Sequence, residues 1–335
     1  MRFYFEETLW DGWETLRFGD NLKGQHLHLA LRGATLLDYQ INHQGKPVSI
    51  CDGFASGDEL KYQGSARFFI MAPFANRIPN GIYRFNGQTY MLKPSNPLYP
   101  KVRHGLAKDI DFRINKITQD ESRLMIELIT QEIRPGRFEG YPFELDMVIR
   151  FILTDNKLEV NVMGSNLGDR PLPFYAGWHS YFKTSTQGID HCQLVIPAKK
   201  VIKTDINDIP LQEIDCLIDI DNQPELDFRP NKPNIIGSRQ LDHGYTDLIP
   251  DPDGLIRSSL IDLDNRLKIN LIQEKGTVIA FTGDTIQYRP RSSLAIEPVE
   301  CFTNAFNRPD CLNEITLKPE DSKTYRFAIE YQSGL

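Results

Sequence analysis

No stretch of the sequence approaches the roughly 18 consecutive apolar residues that a membrane-spanning helix needs, so no transmembrane helix is expected. The amino-terminal segment MRFYFEETLWDGWETLRFGD carries acidic residues early and lacks a continuous apolar core, which excludes a signal peptide. Cysteine is sparse. The five residues, Cys51, Cys192, Cys216, Cys301 and Cys311, are odd in number and none sit at C-x-x-C spacing. That pattern excludes a disulfide framework and a zinc knuckle and fits a reducing, cytoplasmic compartment. Basic charge is not in excess: 38 Lys and Arg stand against 45 Asp and Glu, for a net charge of −7. Sequence-independent nucleic-acid binding relies on phosphate neutralisation and is therefore not expected. Long amphipathic helices and regular repeats of 20 to 50 residues are also missing, which removes helical bundles and solenoids.

What is present is period two. Leu145 to Leu153 (LDMVIRFIL), Leu158 to Met163, Leu267 to Ile272, Val278 to Thr282 and Tyr325 to Tyr331 mix strict alternation with short buried runs. Alternation places one face of each strand in a core. Turn signals separate these runs: Asn80-Gly81, Asn86-Gly87, Asp155-Asn156, Asn166 to Asp169 and Asp251 to Gly254. Such residues tolerate positive φ or bond their own backbone. Ile82 to Tyr90 reads as a hairpin with Asn86-Gly87 at its tip. Short helical turns are expected near Gly57 to Tyr62 and after Pro210. The Asp-, Asn- and Pro-rich stretch from Asp205 to Asn234 reads as an excursion within one unit rather than a linker, because strands of the same style resume beyond it. The expected architecture is all-β, a large antiparallel sandwich, with residues 1–335 forming a single domain.

The stretch Pro171 to Phe182, PLPFYAGWHSYF, surrounds His179 with aromatic residues. Desolvation lowers a histidine's proton affinity and an opposing carboxylate raises it, so a histidine balanced between the two is a general acid working near neutral pH. Glu297, in Leu294-Ala295-Ile296-Glu297-Pro298, ends an apolar run and is costly to bury unpaired, which makes it a candidate general base. Glu300 is its competitor. His104 precedes Gly105, whose backbone freedom lets the chain turn sharply and expose the imidazole. Asn76 and Arg77 lie in the proline-bounded segment Pro73 to Gly81, and the planar fork of Arg77 suits sugar hydroxyls. Asp242-His243 invites a metal or triad reading, but no G-x-S-x-G elbow accompanies it. His26-x-His28 has no third ligand and reads as an ordinary strand pair.

Taken in order, Asn76-Arg77, His104-Gly105, Gly177 to Phe182, Leu241-Asp242-His243, Glu297-Pro298 and Asn304-Ala305-Phe306 resemble the aldose 1-epimerase (galactose mutarotase) family. The resemblance covers most of the chain. It implies a galactose mutarotase-like supersandwich with a monosaccharide in a cleft on one sheet. It implies Glu297 as the base on the anomeric hydroxyl, His179 as the acid on the ring oxygen and His104 as its assistant. Arg77, Asp242 and Asn76 would hold hydroxyls. No metal or cofactor is implied, and a monomer or homodimer is expected. One departure stands out: Ser180 occupies the place where the family pattern usually has proline, which is reminiscent of a branch acting on hexose 6-phosphates. Arg103, Lys108 and Arg137 are then candidate phosphate ligands. The readings carried forward are a 1-epimerase of a free hexose, a hexose-6-phosphate 1-epimerase and a non-catalytic carbohydrate-binding protein. A glycoside-processing enzyme, which works with two carboxylates, is a further rival.

Overall fold

The structure is a computed structural model that describes residues 1–63, 66–94, 101–184, 187–211, 216–230, 232 and 234–334. Two large antiparallel sheets dominate it. The nine-stranded sheet runs, in spatial order, Asn234–Ile235, Gln193–Val195, Ile256–Asp262, Leu267–Gln273, Ser322–Ser333, Lys157–Asn166, Leu145–Leu153, Leu124–Ile133 and Arg113–Gln119. The strand Leu145–Leu153 shows why these sequences form it. Leu145, Met147, Ile149, Phe151 and Leu153 are buried, and the residues between them are half-buried. Each fully buried side chain of this size contributes about 1.5–3 kcal/mol. A one-residue slip would turn all five outward, so the register is strongly specified.

The second sheet has eight strands. Seven lie in the order Leu217–Asp219, Ala198–Ile202, Asp242–Leu248, Thr277–Phe281, Leu294–Val299, Gly177–Trp178 and Ile70–Met71, and Tyr181–Phe182 also pairs with Leu294–Val299. The sheets meet face to face: the Trp178 ring stacks on Phe327 of the nine-stranded sheet, with centroids 5.1 Å apart. This is the antiparallel sandwich that the period-two pattern implies. The amino-terminal strands Phe3–Trp10, Trp13–Asp20, Gln25–Ala30, Thr35–His43 and Lys46–Ser49 form a further five-stranded sheet.

The hairpin expected at Asn86-Gly87 is present, with Ile82–Phe85 paired to Gln88–Met91 and both turn residues at positive φ. The helical turn expected near Gly57 is the helix Gly57–Tyr62, capped by the Ser56 hydroxyl on the Glu59 amide. Beyond Pro210, residues 212–215 fall outside the described residues, as do residues 95–100 of the proline-rich loop before Arg103. The stretch from Asp205 is no free linker. Its strand Leu217–Asp219 pairs with Ala198–Ile202, and its Asp208 reaches Arg77.

Candidate active site

The strand Leu294–Val299 lies inside the eight-stranded sheet and is buried along its whole length. On one side it pairs with Thr277–Phe281, where Ile279 faces Glu297. On the other it pairs with two short strands in a single register: Gly177 faces Val299, and Tyr181 faces Ala295. Between those two pairs the same register sets His179 directly opposite Glu297. Residues opposed in this way share a face and lie within side-chain reach. His179 Nε2 is 3.4 Å from Glu297 Oε1. The same count carries the face outward through Ile279 and Phe281 to Asp242, which pairs with Phe281.

Two loops cover this floor. His104 donates its backbone N–H to Asn76 O at 2.8 Å, and the backbones of Arg77 and Arg103 pair as an isolated antiparallel β-bridge. Asn76 and His104 both have positive φ, and Gly105 follows at +74°. A Cβ on Gly105 would sit 2.1 Å from Ala72 O. Gly105→Ala is therefore expected to lower stability by about 1–3 kcal/mol and to displace His104, as thermal unfolding and the His104 ring resonances in NMR would register. The glycine does not expose the imidazole, contrary to the expectation from sequence. His104 is buried, with Nδ1 3.2 Å from Met71 Sδ and its ring against Phe69 and His179. The His104 and His179 centroids are 4.9 Å apart.

Together these elements line a cleft of about 820 Å³, of the size that holds small ligands. All six candidate residues, Asn76, Arg77, His104, His179, Asp242 and Glu297, line it. Asn76 Nδ2, His179 Nδ1 and Glu297 Oε2 are buried and have no hydrogen-bond partner among the described residues. Buried polar atoms are ordinarily paired, so three such orphans at one cleft single it out as the candidate site. Arg77 Nη2 lies 3.1 Å from Asp208 and 3.8 Å from Asp242.

Burial governs the electrostatics. It pushes the Glu297 carboxyl well above its ordinary 4.5, Asp242 adds to the rise, and Arg77 opposes it. Burial first, and then Arg103, Arg77 and Arg67, lower His179 to about 3. His104 is pushed well below 6.5 by burial and then by His179 and Arg103. Asp242 is raised by burial against the pull of Arg77. The expectation that His179 titrates near neutrality is thus corrected. The carboxylate is present, but complete desolvation and three guanidinium groups outweigh it. The His179–Glu297 pair favours its neutral form, with the proton on the carboxyl.

Glu300 is not a rival base. Its carboxylate is buried on Lys275 and Lys323, at 3.3 and 3.0 Å, and accepts the Ala176 N–H. Ser180 faces the other side of the sheet. Its hydroxyl donates to Ile296 O, and its carbonyl accepts the Ile296 N–H at 3.1 Å. The residue in the usual proline position is therefore a tie between strands and lies outside the cleft wall. Ser180→Ala is expected to lower stability by about 1 kcal/mol in denaturant titration, with turnover nearly unchanged. Of the phosphate candidates, Arg103 and Lys108 line a small pocket beside the cleft, where Lys108 pairs with Asp109; Arg103 also lines the cleft itself, and Arg137 pairs with Glu132 away from both. His26 and His28 bond Tyr4 and Thr15, as an ordinary strand pair does.

Outside the cleft, His191, Cys192 and Asp262 come close enough to hold a metal ion. Asp262 is already bonded by His191 and Asn265, and burial raises the Cys192 thiol to about 11. Metal binding would have to break that arrangement. Sequence reasoning missed the helix Gly57–Tyr62 and the segment from Phe281 to Tyr288 as cleft walls. It also missed Tyr181 as a partner of His179, although Tyr181 stands two residues along the same strand direction, where period two puts it on the same face.

The fold is that of galactose mutarotase-like proteins. A galactose mutarotase-like protein from Clostridium acetobutylicum has the same fold, with a TM-score of 0.83 at 17% identity over 99% of both chains. Residues 15–330 match the aldose 1-epimerase family, and the chain belongs to it. Among curated relatives, the uncharacterized Escherichia coli protein YihR is 27% identical over 241 residues, 71% of each chain. The galactose mutarotase of Sus scrofa is 27% identical over 187 residues, which is 54% of this chain and 52% of that protein.

Proposed function

We propose that the protein is an aldose 1-epimerase that interconverts the α and β anomers of a free hexose of the glucose or galactose type. The observation that carries this reading is the buried His179–Glu297 pair, 3.4 Å apart on the cleft floor beside orphaned polar atoms. Anomerisation needs a base on the C1 hydroxyl and an acid on the ring oxygen. Both oxygens sit on one carbon, so acid and base must each reach one of two oxygens bound to the same atom, as two neighbouring side chains on one cleft floor can.

In this reading Glu297 takes the C1 hydroxyl proton while His179 protonates the ring oxygen. The C1–ring oxygen bond breaks, leaving the free aldehyde. Rotation about C1–C2 presents the other carbonyl face. Reclosure returns the proton from Glu297 to the new C1 hydroxyl and the ring-oxygen proton to His179. Ring opening converts a carboxylate–imidazolium pair into a carboxyl–imidazole pair, which is the form that burial favours. The desolvated cleft therefore stabilises the open-chain state relative to the cyclic one. His104, neutral and in ring contact with His179, supplies a further hydrogen bond near the ring oxygen. Arg77, Asp242 and Asn76 hold hydroxyls and orient the ring.

The charge of the cleft favours a neutral sugar. Its lining sets Asp58, Glu59 and Asp242 against Arg77 and Arg103, beside a Glu297 carboxyl on which burial favours the proton, and Arg77 already faces two aspartates. A pure binding protein has no need of a buried acid–base pair, and the partner of Glu297 is an imidazole rather than the second carboxylate of a glycosidase. The test is polarimetric decay of fresh α-D-glucose and α-D-galactose beside glucose 6-phosphate. Acceleration of a free hexose is expected. Acceleration of the phosphate alone would overturn the substrate assignment, and sugar binding without acceleration would make this a binding protein.

A further inference from the structure

We propose that Arg67 is a positioning residue for the epimerisation: through the ring of Tyr181 it holds the imidazole of His179 in the plane from which it meets Glu297. This rests on the reading of His179 as the acid.

Arg67 is fully buried, a placement that a guanidinium tolerates only when paired. Its partner is Asp52, equally buried. Asp52 also accepts the Ser293 hydroxyl at 2.6 Å, the Ser292 hydroxyl at 3.1 Å and Arg289 Nη1 at 2.8 Å. The Asp52 backbone N–H donates to Tyr181 O at 3.0 Å. One residue thus fixes the Tyr181 backbone directly and its ring through Arg67. The guanidinium carbon of Arg67 lies over that ring, 5.0 Å from its centroid. The His179 imidazole stacks on the same ring, with centroids 5.2 Å apart and planes 9° apart.

A desolvated cation over an aromatic face is a strong, directional contact. It holds the phenol ring, and the stacked imidazole inherits that plane. Nothing in the proposed reaction needs a buried Arg–Asp pair at this point, and Arg67 is not part of the cleft lining. The groups that face His179 from the packed elements are Glu297 across the strand pair, His104 and Arg103 from one loop, and Arg77 from the other. Phe69 and Tyr181 meet its ring, and Arg67 lies behind Tyr181. Arg67 is the cation of this set that reaches His179 through a ring.

The experiment compares wild type with Arg67→Met and Arg67→Lys. Methionine keeps much of the stem volume and leaves Asp52 on Arg289 and the two serines. Lysine keeps the charge but cannot lie flat on Tyr181. For Arg67→Met, kcat is expected to fall by about 10-fold to 100-fold through misplacement of the acid, with KM unchanged. The acid limb of the kcat/KM profile is expected to move to higher pH, because a cation that opposed protonation of His179 is gone. Arg67→Lys is expected to lose kcat while keeping the limb in place. The His179 ring titration, followed by NMR, is expected to move in the methionine variant alone. An unmoved limb and titration in Arg67→Met, with only a lowered unfolding temperature, would overturn the proposal. If Arg67→Met does not fold, a lysine variant with wild-type kcat does so instead. If wild type accelerates no sugar, the functional reading fails, and the NMR titration still decides the Arg67 contact.

Discussion

Glu297→Gln is expected to slow anomerisation by roughly 10²–10⁴-fold, the range that a positioned general base supplies. The substitution keeps the shape of the side chain and removes only its ability to take the C1 proton. Sugar affinity is expected to change little. The variant also separates catalysis from folding. The Glu297 carboxyl is buried and raised above its ordinary 4.5. A carboxyl raised in the fold contributes stability that is intact below the unfolded value and is lost as pH rises through the folded one. Glutamine carries no such dependence. The variant is therefore expected to be at least as stable as wild type at pH 8 and to lose that advantage below 4.5. Thermal unfolding at the two pH values, beside polarimetric rates, checks both halves. A slow variant that is also less stable at pH 8 would point to structural damage.

His179→Asn is expected to reduce the rate by a similar factor of roughly 10²–10⁴, because asparagine can bond the ring oxygen but cannot deliver a proton to it. Here the stability dependence has the opposite sense. The folded imidazole titrates near 3 against an ordinary 6.5. The unfolded chain binds the extra proton throughout that window, so wild type loses stability as pH falls from 6.5 toward 3. The asparagine variant lacks this loss, and its stability is expected to gain on wild type across that window. In wild type the pair holds one proton between the acid step near 3 and the alkaline step of the raised carboxyl. The kcat/KM profile is expected to be bell-shaped, falling on the acid side as the pair takes a second proton and on the alkaline side as it loses its last.

Much of this site is legible in the sequence because strand register is arithmetic. Alternation in Leu145 to Leu153 gives the core face, and an apolar run ending in Glu297 places that carboxylate on a buried strand. The opposition of His179 and Glu297 is not legible, since it depends on which strands pair. The same gap explains Ser180: period two puts it on the face away from His179, yet which face lines a cleft is set by the tertiary fold. The proton affinity of His179 was hidden for a related reason. Three arginines from three segments act on it, and no local window contains them. Glu300 and Glu297 look alike three residues apart, and only Lys275 from a turn and Lys323 from another strand separate the paired carboxylate from the one facing the cleft. Arg67 and Asp52 carry no motif at all: beyond each other, their partners Tyr181 and Ser293 lie more than 100 residues away along the chain.

The most direct measurement is the mutarotation rate of fresh α-D-galactose with wild type, Glu297→Gln, His179→Asn and the double variant, all shown to be folded. In the proposed reaction acid and base act on one C1–ring oxygen unit, so their effects are expected not to multiply. Wild type is expected to accelerate the decay, each single variant to lose most of that acceleration, and the double variant to be little worse than the slower single. A wild-type rate equal to that of buffer, or single variants that retain full turnover, would contradict the assignment of Glu297 and His179 as one acid–base pair.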